Sequence, residues 1–384
     1  MQLSECLRAL NEVVPLASAG YARDAVGLQV GLAGDPIVKR ILVAYEVTSR
    51  VIDEAREFGA NLIVAFHPLI FPTLSSVVDS SRTGALVRSL IKADIALYVV
   101  HTAFDAHPLF GTSRLMAEVL ELESIAPLAP LESTLRKIVV YTPHSAVADV
   151  HGAMAAAGAG NIGNYSACAW QVEGRGTFRG NERSTPAVGE RLMLESVDEV
   201  RLEMICETWN LGRVLGAMRA AHPYEEVAHD IYALETASTT FGMGTIGRWN
   251  TALDSETALE KIKVAFGATM LRHNRTSKRT IATVAMLGGA GMDYYSAAKS
   301  ARADLFLTAD IRYHDFFRAE HDDILLVDTG HAETERFVPR GIERALKFAL
   351  ANHADHPTAR VLSAASGELP ILVSQAEANA VQYF

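Results

Sequence analysis

His331 and Glu335 stand four residues apart in the run LLVDTGHAETER. The pattern there predicts a last long helix from about His331 to Leu350, and residues at i and i+4 share one helical face. An imidazole and a carboxylate so placed can grip one cation, although the same pair also suits a solvated helix surface. Three further polar groups follow apolar, β-rich runs. His67 follows NLIVAF, His101 follows IALYVV with Asp105 four residues on, and Asp310 and His314 follow DLFLTA. Two or three imidazoles with one or two carboxylates make a donor set for zinc, iron or manganese, whereas calcium is held by oxygen alone. Histidine's ordinary pKa near ~6.5 also suits proton transfer at neutral pH, and His101 and His314 are the candidates for that catalytic role.

The elements that must position these groups read as two α/β halves. In the first, strands ILVAYEV (41–47), NLIVAF (61–66) and IALYVV (95–100) alternate with helical patterns at 49–58, 82–92 and 113–122. From Asp304 the same alternation returns as DLFLTA, a helix from about Ile311, ILLVD and the helix carrying His331. Such alternation predicts mostly parallel sheets, whose ligand sites lie at the carboxyl ends of the strands. Between the halves, after a linker with Pro127 and Pro130, a β-α-β-β-α-β order predicts a ferredoxin-like α+β module. The expected fold is therefore a discontinuous two-half α/β core, residues 1–124 and 244–384, interrupted by an insert at 125–243. The core carries the metal site at its strand carboxyl ends.

Two short motifs remain open. LGGAG (287–291) follows a strand and opens a helix, which fits either an anion-binding corner or a tight turn needing positive φ, and it lacks both the GxGxxG pattern and a Walker lysine. In HPYEEV, His222, Glu225 and Glu226 could contact a ligand or metal, or Pro223 and Tyr224 could form a packed turn.

The bulk composition excludes several classes. With 384 residues, 49% hydrophobic and 21% charged, the chain reads as a globular protein of two or three domains. A net charge of -10 argues against a nucleic-acid partner, whose phosphates call for a Lys/Arg excess. The run MQLSECLRALNEVVPLAS lacks a basic region followed by an unbroken apolar one, and no apolar stretch approaches ~18 residues, so a cytoplasmic protein without membrane contact is expected. Cys6, Cys168 and Cys206 are odd in number and far apart, as reduced structural thiols would be.

The segments VGLQVG (26–31), HPLIF (67–71), HTAFDAH (101–107), LGGAG, TADIRYHD (308–315) and DTGHAETE (328–335) together resemble the NGG-interacting-factor-three-like family, also labelled GTP cyclohydrolase 1 type 2 homologs. The insert, through GNYSACAWQVEGRGTFRG (163–180) and AHPYEEVAHDIYAL (221–234), resembles the PII/CutA-like domain of longer bacterial members. The resemblance implies a dinuclear metal centre inside a toroidal homo-hexamer, with ligands at His67, Asp105, His331 and Glu335 and His101 beside them. One departure bears on the metal count. The family pattern has two adjacent histidines before the proline, and Phe66 stands in place of the first, so one of two ions should be weakly held or missing. The implied activity is metal-dependent hydrolysis of a small substrate, a nucleotide among the candidates. The alternative is a non-catalytic metal-handling or regulatory ring protein, a metal chaperone, sensor or scaffold.

Overall fold

Four-residue runs without a break in apolar character become strands buried at every position, as a sheet covered on both faces requires. In the computed structural model, which describes residues 1–21, 23–275, 277, 280–354, 369–376 and 379–381, the first half comprises α1 (Leu3–Val13), β1 (Gly27–Val30), β2 (Ile41–Ala44), α2 (Ser49–Phe58), β3 (Leu62–Ala65), α3 (Arg82–Lys92), β4 (Ala96–Val99), α4 (His101–Asp105), α5 (Thr112–Val119) and β5 (Glu123–Pro130). The middle holds β6 (Leu135–Pro143), α6 (Val147–Ala156), β7 (Trp170–Arg179), β8 (Leu194–Glu207), α7 (Leu211–Ala221) and β9 (His229–Ala233). The last part holds β10 (Gly242–Leu253), α8 (Ser255–Phe266), β11 (Arg272–His273), β12 (Ile281–Ala290), α9 (Tyr295–Ser300), β13 (Leu305–Ala309), α10 (Tyr313–His321), β14 (Leu325–Asp328), α11 (His331–Glu335), α12 (Val338–Ala354) and β15 (Ile371–Val373).

Two compact units result, Met1–Ala129 with Phe241–Phe384, and Pro130–Thr240. The first contains two sheets, in the orders β1-β4-β3-β2-β15 and β11-β14-β13-β12-β10-β5, so that β15 of the last part joins the sheet of the first half and β5 of the first half joins the other. Strands β2, β3 and β4 run parallel, as do β12, β13 and β14. Side chains alternate across a strand, so Ile41 and Val43 enter a core with Leu3 and Leu10 of α1 and Ile342 and Leu346 of α12. Leu42 and Ala44 enter a second core with Val51 and Ile52 of α2 and Leu86 and Leu90 of α3. Helix α2 is bounded locally: the Thr48 side chain accepts from Val51 N–H, and Gly59 closes the other end in the left-handed region.

The second unit is a four-stranded antiparallel sheet in the order β7-β8-β6-β9. Val150 and Met154 of α6 and Val214 and Met218 of α7 cover one face, packing on Ile138, Val140, Leu202 and Met204. Among the described residues, no helix is long and apolar enough to cross a membrane.

One expectation is corrected. The single helix from about His331 to Leu350 is two, α11 and α12, divided after Glu335. Pro339 is the cause: it has no N–H for a helical bond, and its ring would strike the carbonyl four residues earlier, that of Glu335. His331 and Glu335 consequently share a short helix of their own.

Candidate metal centre

His67 follows β3 and His331 follows β14, so each imidazole leaves the carboxyl end of a parallel strand, one from either sheet of the first unit. Glu335, 4% exposed, stands between them. Donor atoms of His67, His331 and Glu335 all lie within 4.8 Å of one another. Both imidazoles turn the same nitrogen to the same oxygen: His331 Nε2 is 3.1 Å and His67 Nε2 3.5 Å from Glu335 Oε2.

The opposite face of each imidazole is held by an acid. His67 Nδ1 lies 3.3 Å from Glu46 Oε2, and Glu46 in turn binds Arg82 at 2.9 Å. His331 Nδ1 lies 2.6 Å from Asp310 Oδ2. Carboxylates on the outer nitrogen fix ring orientation and tautomer and leave Nε2 pointing inward, the arrangement that supports metal-binding histidines. Burial pushes the Glu46 carboxyl pKa up, but the hydrogen bonds with His67 and Arg82 outweigh it and hold the group below its ordinary value. The hydrogen bond with Glu335 raises His331 to about 9 against the opposing effect of burial, and Asp310 adds to the rise.

Gly289 makes room for this cluster. A Cβ there would lie 2.5 Å from Glu335 Oε1 and 3.2 Å from His331 Nε2. Its φ of 65° and this close approach resolve LGGAG in favour of the positive-φ reading. Its N–H donates to Thr334 Oγ1 at 2.9 Å and its carbonyl accepts from Thr308 Oγ1 at 2.9 Å, so the run braces α11 and does not offer that N–H to an anion.

His101 stands beside the group, its ring 5.8 Å from that of His67. Its Nδ1 lies 2.8 and 2.9 Å from the two oxygens of Asp24, which also accepts from Thr102. Burial lowers the His101 pKa, yet the hydrogen bond and charge of Asp24 outweigh that and hold it above the ordinary imidazole value. Asp105 lies outside the three-residue group but within its field: burial, then the charge of Glu335, push its pKa up to about 7, while Thr112 Oγ1 donates to it. His314 stands apart, exposed on α10 with its ring against Tyr313 at 5.4 Å. In HPYEEV, His222 Nε2 donates to the Tyr141 carbonyl at 3.1 Å and Nδ1 accepts from Tyr224 N–H at 3.1 Å, so both nitrogens serve a packed turn.

Three contributors were not among the site residues singled out from the sequence: Tyr45, Glu46 and Asp24. The first two are the polar pair directly after the apolar run of β2, and that position at a parallel strand's carboxyl end is the signal that could have found them.

The fold and this cluster define a mixed α/β protein whose two halves bring two histidines and a glutamate together. The family model described as Duf34/NIF3 (NGG1p interacting factor 3) matches residues 1–361, and the chain belongs to that family. A Halalkalibacterium halodurans protein named GTP cyclohydrolase 1 type 2 homolog is 38% identical over 325 residues, 84% of this chain and 87% of the relative. A Bacillus subtilis protein of the same name is 37% identical over 328 residues, 84% and 86%. Among solved structures, a Bacillus cereus protein related to NIF3 matches with a TM-score of 0.83 at 33% identity, covering 100% of this chain and 99% of the other.

Proposed function

We propose that the chain binds a divalent transition metal through His67, His331 and Glu335 and hydrolyses a small substrate there. A nucleotide is among the candidates because the relatives carry the name GTP cyclohydrolase 1 type 2 homolog. The observation that carries the reading is the convergence of two Nε2 atoms on one Glu335 oxygen, each imidazole braced from behind by a carboxylate. A zinc, iron or manganese ion held there supplies Lewis acidity, which makes water a nucleophile near neutral pH. His101, whose imidazole meets Asp24, is the proton carrier of this reading, with His314, exposed on α10, as the second candidate. Asp105, whose carboxyl feels the charge of Glu335, is the further ligand that the family resemblance implies, and with Phe66 in place of a second histidine one of two ions is weakly held or missing.

The proposal extends to organisation: a metal-binding core at 1–124 and 244–384, a PII/CutA-like insert at 125–243, and a cytoplasmic homo-hexameric ring. The insert reading draws on the strand order of the second unit, that of a split βαβ module. A second reading, metal handling without turnover, is favoured by Phe66. Its ring is fully buried beside His67 and His101, at 4.9 and 5.5 Å, and offers no donor.

Elemental mass spectrometry of protein purified without chelator, beside His331→Ala, tests the binding. About one ion per subunit, lost in the variant, is expected. A wild-type protein that takes up no zinc, iron or manganese on loading ends the proposal. Turnover of nucleotides by the loaded protein then separates hydrolase from metal handler.

A further inference from the structure

Glu335 Oε2 is approached by a third group besides the two imidazoles. The Tyr45 hydroxyl donates to it at 2.7 Å, on the same oxygen that His331 Nε2 and His67 Nε2 approach at 3.1 and 3.5 Å. Donor atoms sharing one ion at bond lengths of about 2.0–2.2 Å lie roughly 3–3.5 Å apart. All three separations are within a few tenths of an ångström of that spacing. The position of Tyr45 is not left to side-chain freedom. Its carbonyl accepts from His67 N–H at 3.0 Å, continuing the β2–β3 ladder past the strand ends. Its ring stacks on Phe66 at 6.1 Å and 13° and leans on His67 at 4.6 Å. Phe66, itself fully buried, supplies a wall and no donor.

We infer that Tyr45 is a metal-coordinating residue of this centre, its phenol oxygen taking a fourth position beside His67, His331 and Glu335. The inference rests on the metal-binding reading above. On coordination an oxygen–metal bond replaces the hydrogen bond to Glu335, the phenol proton passes to solvent, and nothing is oxidised or reduced. A donor set of two imidazoles, one carboxylate and one phenolate is richer in hard anionic oxygen than the imidazole-dominated sets of many zinc enzymes. It should therefore hold ferric iron as well as divalent ions.

That difference gives a signature that mere support of Glu335 would not produce, because phenolate bound to ferric iron absorbs visible light by charge transfer. Full-length wild type, Tyr45→Phe and His331→Ala are loaded with ferric iron and scanned, and zinc affinity is measured by chelator competition. The expected result is a visible band in wild type that is lost in Tyr45→Phe, with a zinc affinity lower by at least the ~10–100-fold that loss of a supporting partner costs. Tyr45→Phe keeps the ring and its stacking, and an unchanged unfolding temperature shows that the fold is intact. If wild type binds iron and zinc without a band, the inference is overturned. In that case a 10–100-fold loss of zinc affinity in Tyr45→Phe assigns Tyr45 to orienting Glu335, and no loss assigns it no part in binding. Failure of wild type to bind either metal removes the underlying reading as well, and that outcome is distinct from binding without colour.

Discussion

A methyl group on Gly289 would press on two proposed ligands at once, 2.5 Å from Glu335 Oε1 and 3.2 Å from His331 Cε1 and Nε2. Gly289→Ala is therefore expected to lose metal retention, in addition to about 1 kcal/mol or more of stability from placing alanine at φ 65°. Gly34 has a similar φ of 69° with nothing within 4 Å of a built Cβ, so Gly34→Ala carries the backbone strain alone. Metal content and denaturant unfolding of both variants separate the two effects, and equal metal retention in both would sink the steric argument. In the sequence, LGGAG announces a glycine-dependent turn or anion site but cannot say what approaches it. Glu335 arrives from 46 residues further on, and a local motif carries no information about such a neighbour. His67, His331 and Glu335 were legible because each follows a strand whose apolar run is plain. Tyr45 was not, since the run ILVAYEV reads as strand through Tyr45, whereas the strand ends at Ala44 and only the folded register sets the Tyr45 hydroxyl on Glu335.

At the scale of elements, glycine within a helix costs about 1 kcal/mol relative to alanine unless close packing demands it. Gly341 of α12 is such a case: a Cβ there would lie 2.5 Å from Leu115 and 2.8 Å from Phe104, where α12 meets α4 and α5. Gly216 of α7 is exposed, with nothing within 4 Å. Gly341→Ala is expected to destabilise by about 1–3 kcal/mol through overpacking, and Gly216→Ala to stabilise by about 0.5–1 kcal/mol. Urea unfolding of the two variants checks both signs; a stabilised Gly341→Ala would show that the α12 contact yields easily. Elements with local signals were legible to the residue. Helices Ser49–Phe58 and Arg82–Lys92 have the bounds their patterns imply because Thr48 and Ser81 cap them from their own sequence neighbourhood. Strand Leu194–Glu207 is of another kind: its first six residues are exposed or half-buried and are held by pairing with β7. That ladder, like the antiparallel addition of β1 to β4 and the parallel addition of β15 to β2, depends on distant partners.

Across the whole molecule, each compact unit buries one histidine among the described residues, and burial disfavours its charged form. In the first unit His107, 7% exposed, accepts at Nδ1 from Leu109 and Phe110 N–H, both at 3.1 Å. Burial drives its pKa down to about 4 against a backbone hydrogen bond at Val13 that opposes the fall. In the second unit burial likewise lowers His222, opposed by its bond to the Tyr141 carbonyl and by the charge of Glu199. For a group whose folded pKa is depressed, the unfolded chain binds more protons in the window between the two values, so stability rises with pH there. The contribution is complete above ~6.5 and is lost as pH falls toward about 4, and for His107 it is on the order of 3 kcal/mol. His331 acts in the opposite sense: raised to about 9, its contribution is complete below ~6.5 and disappears as pH rises through 9. A bare pH profile would mix these, so the comparison must be made with a variant. His107→Gln removes the titrating group and keeps an acceptor; it should be less stable than wild type at about pH 7 and lose distinctly less on going to about pH 4.5. Urea unfolding followed by the fluorescence of Trp249, which is buried in the first unit, reads that difference. Parallel pH slopes for the two proteins would mean that His107 stays neutral for no energetic gain and that the acid sensitivity of the first unit lies elsewhere.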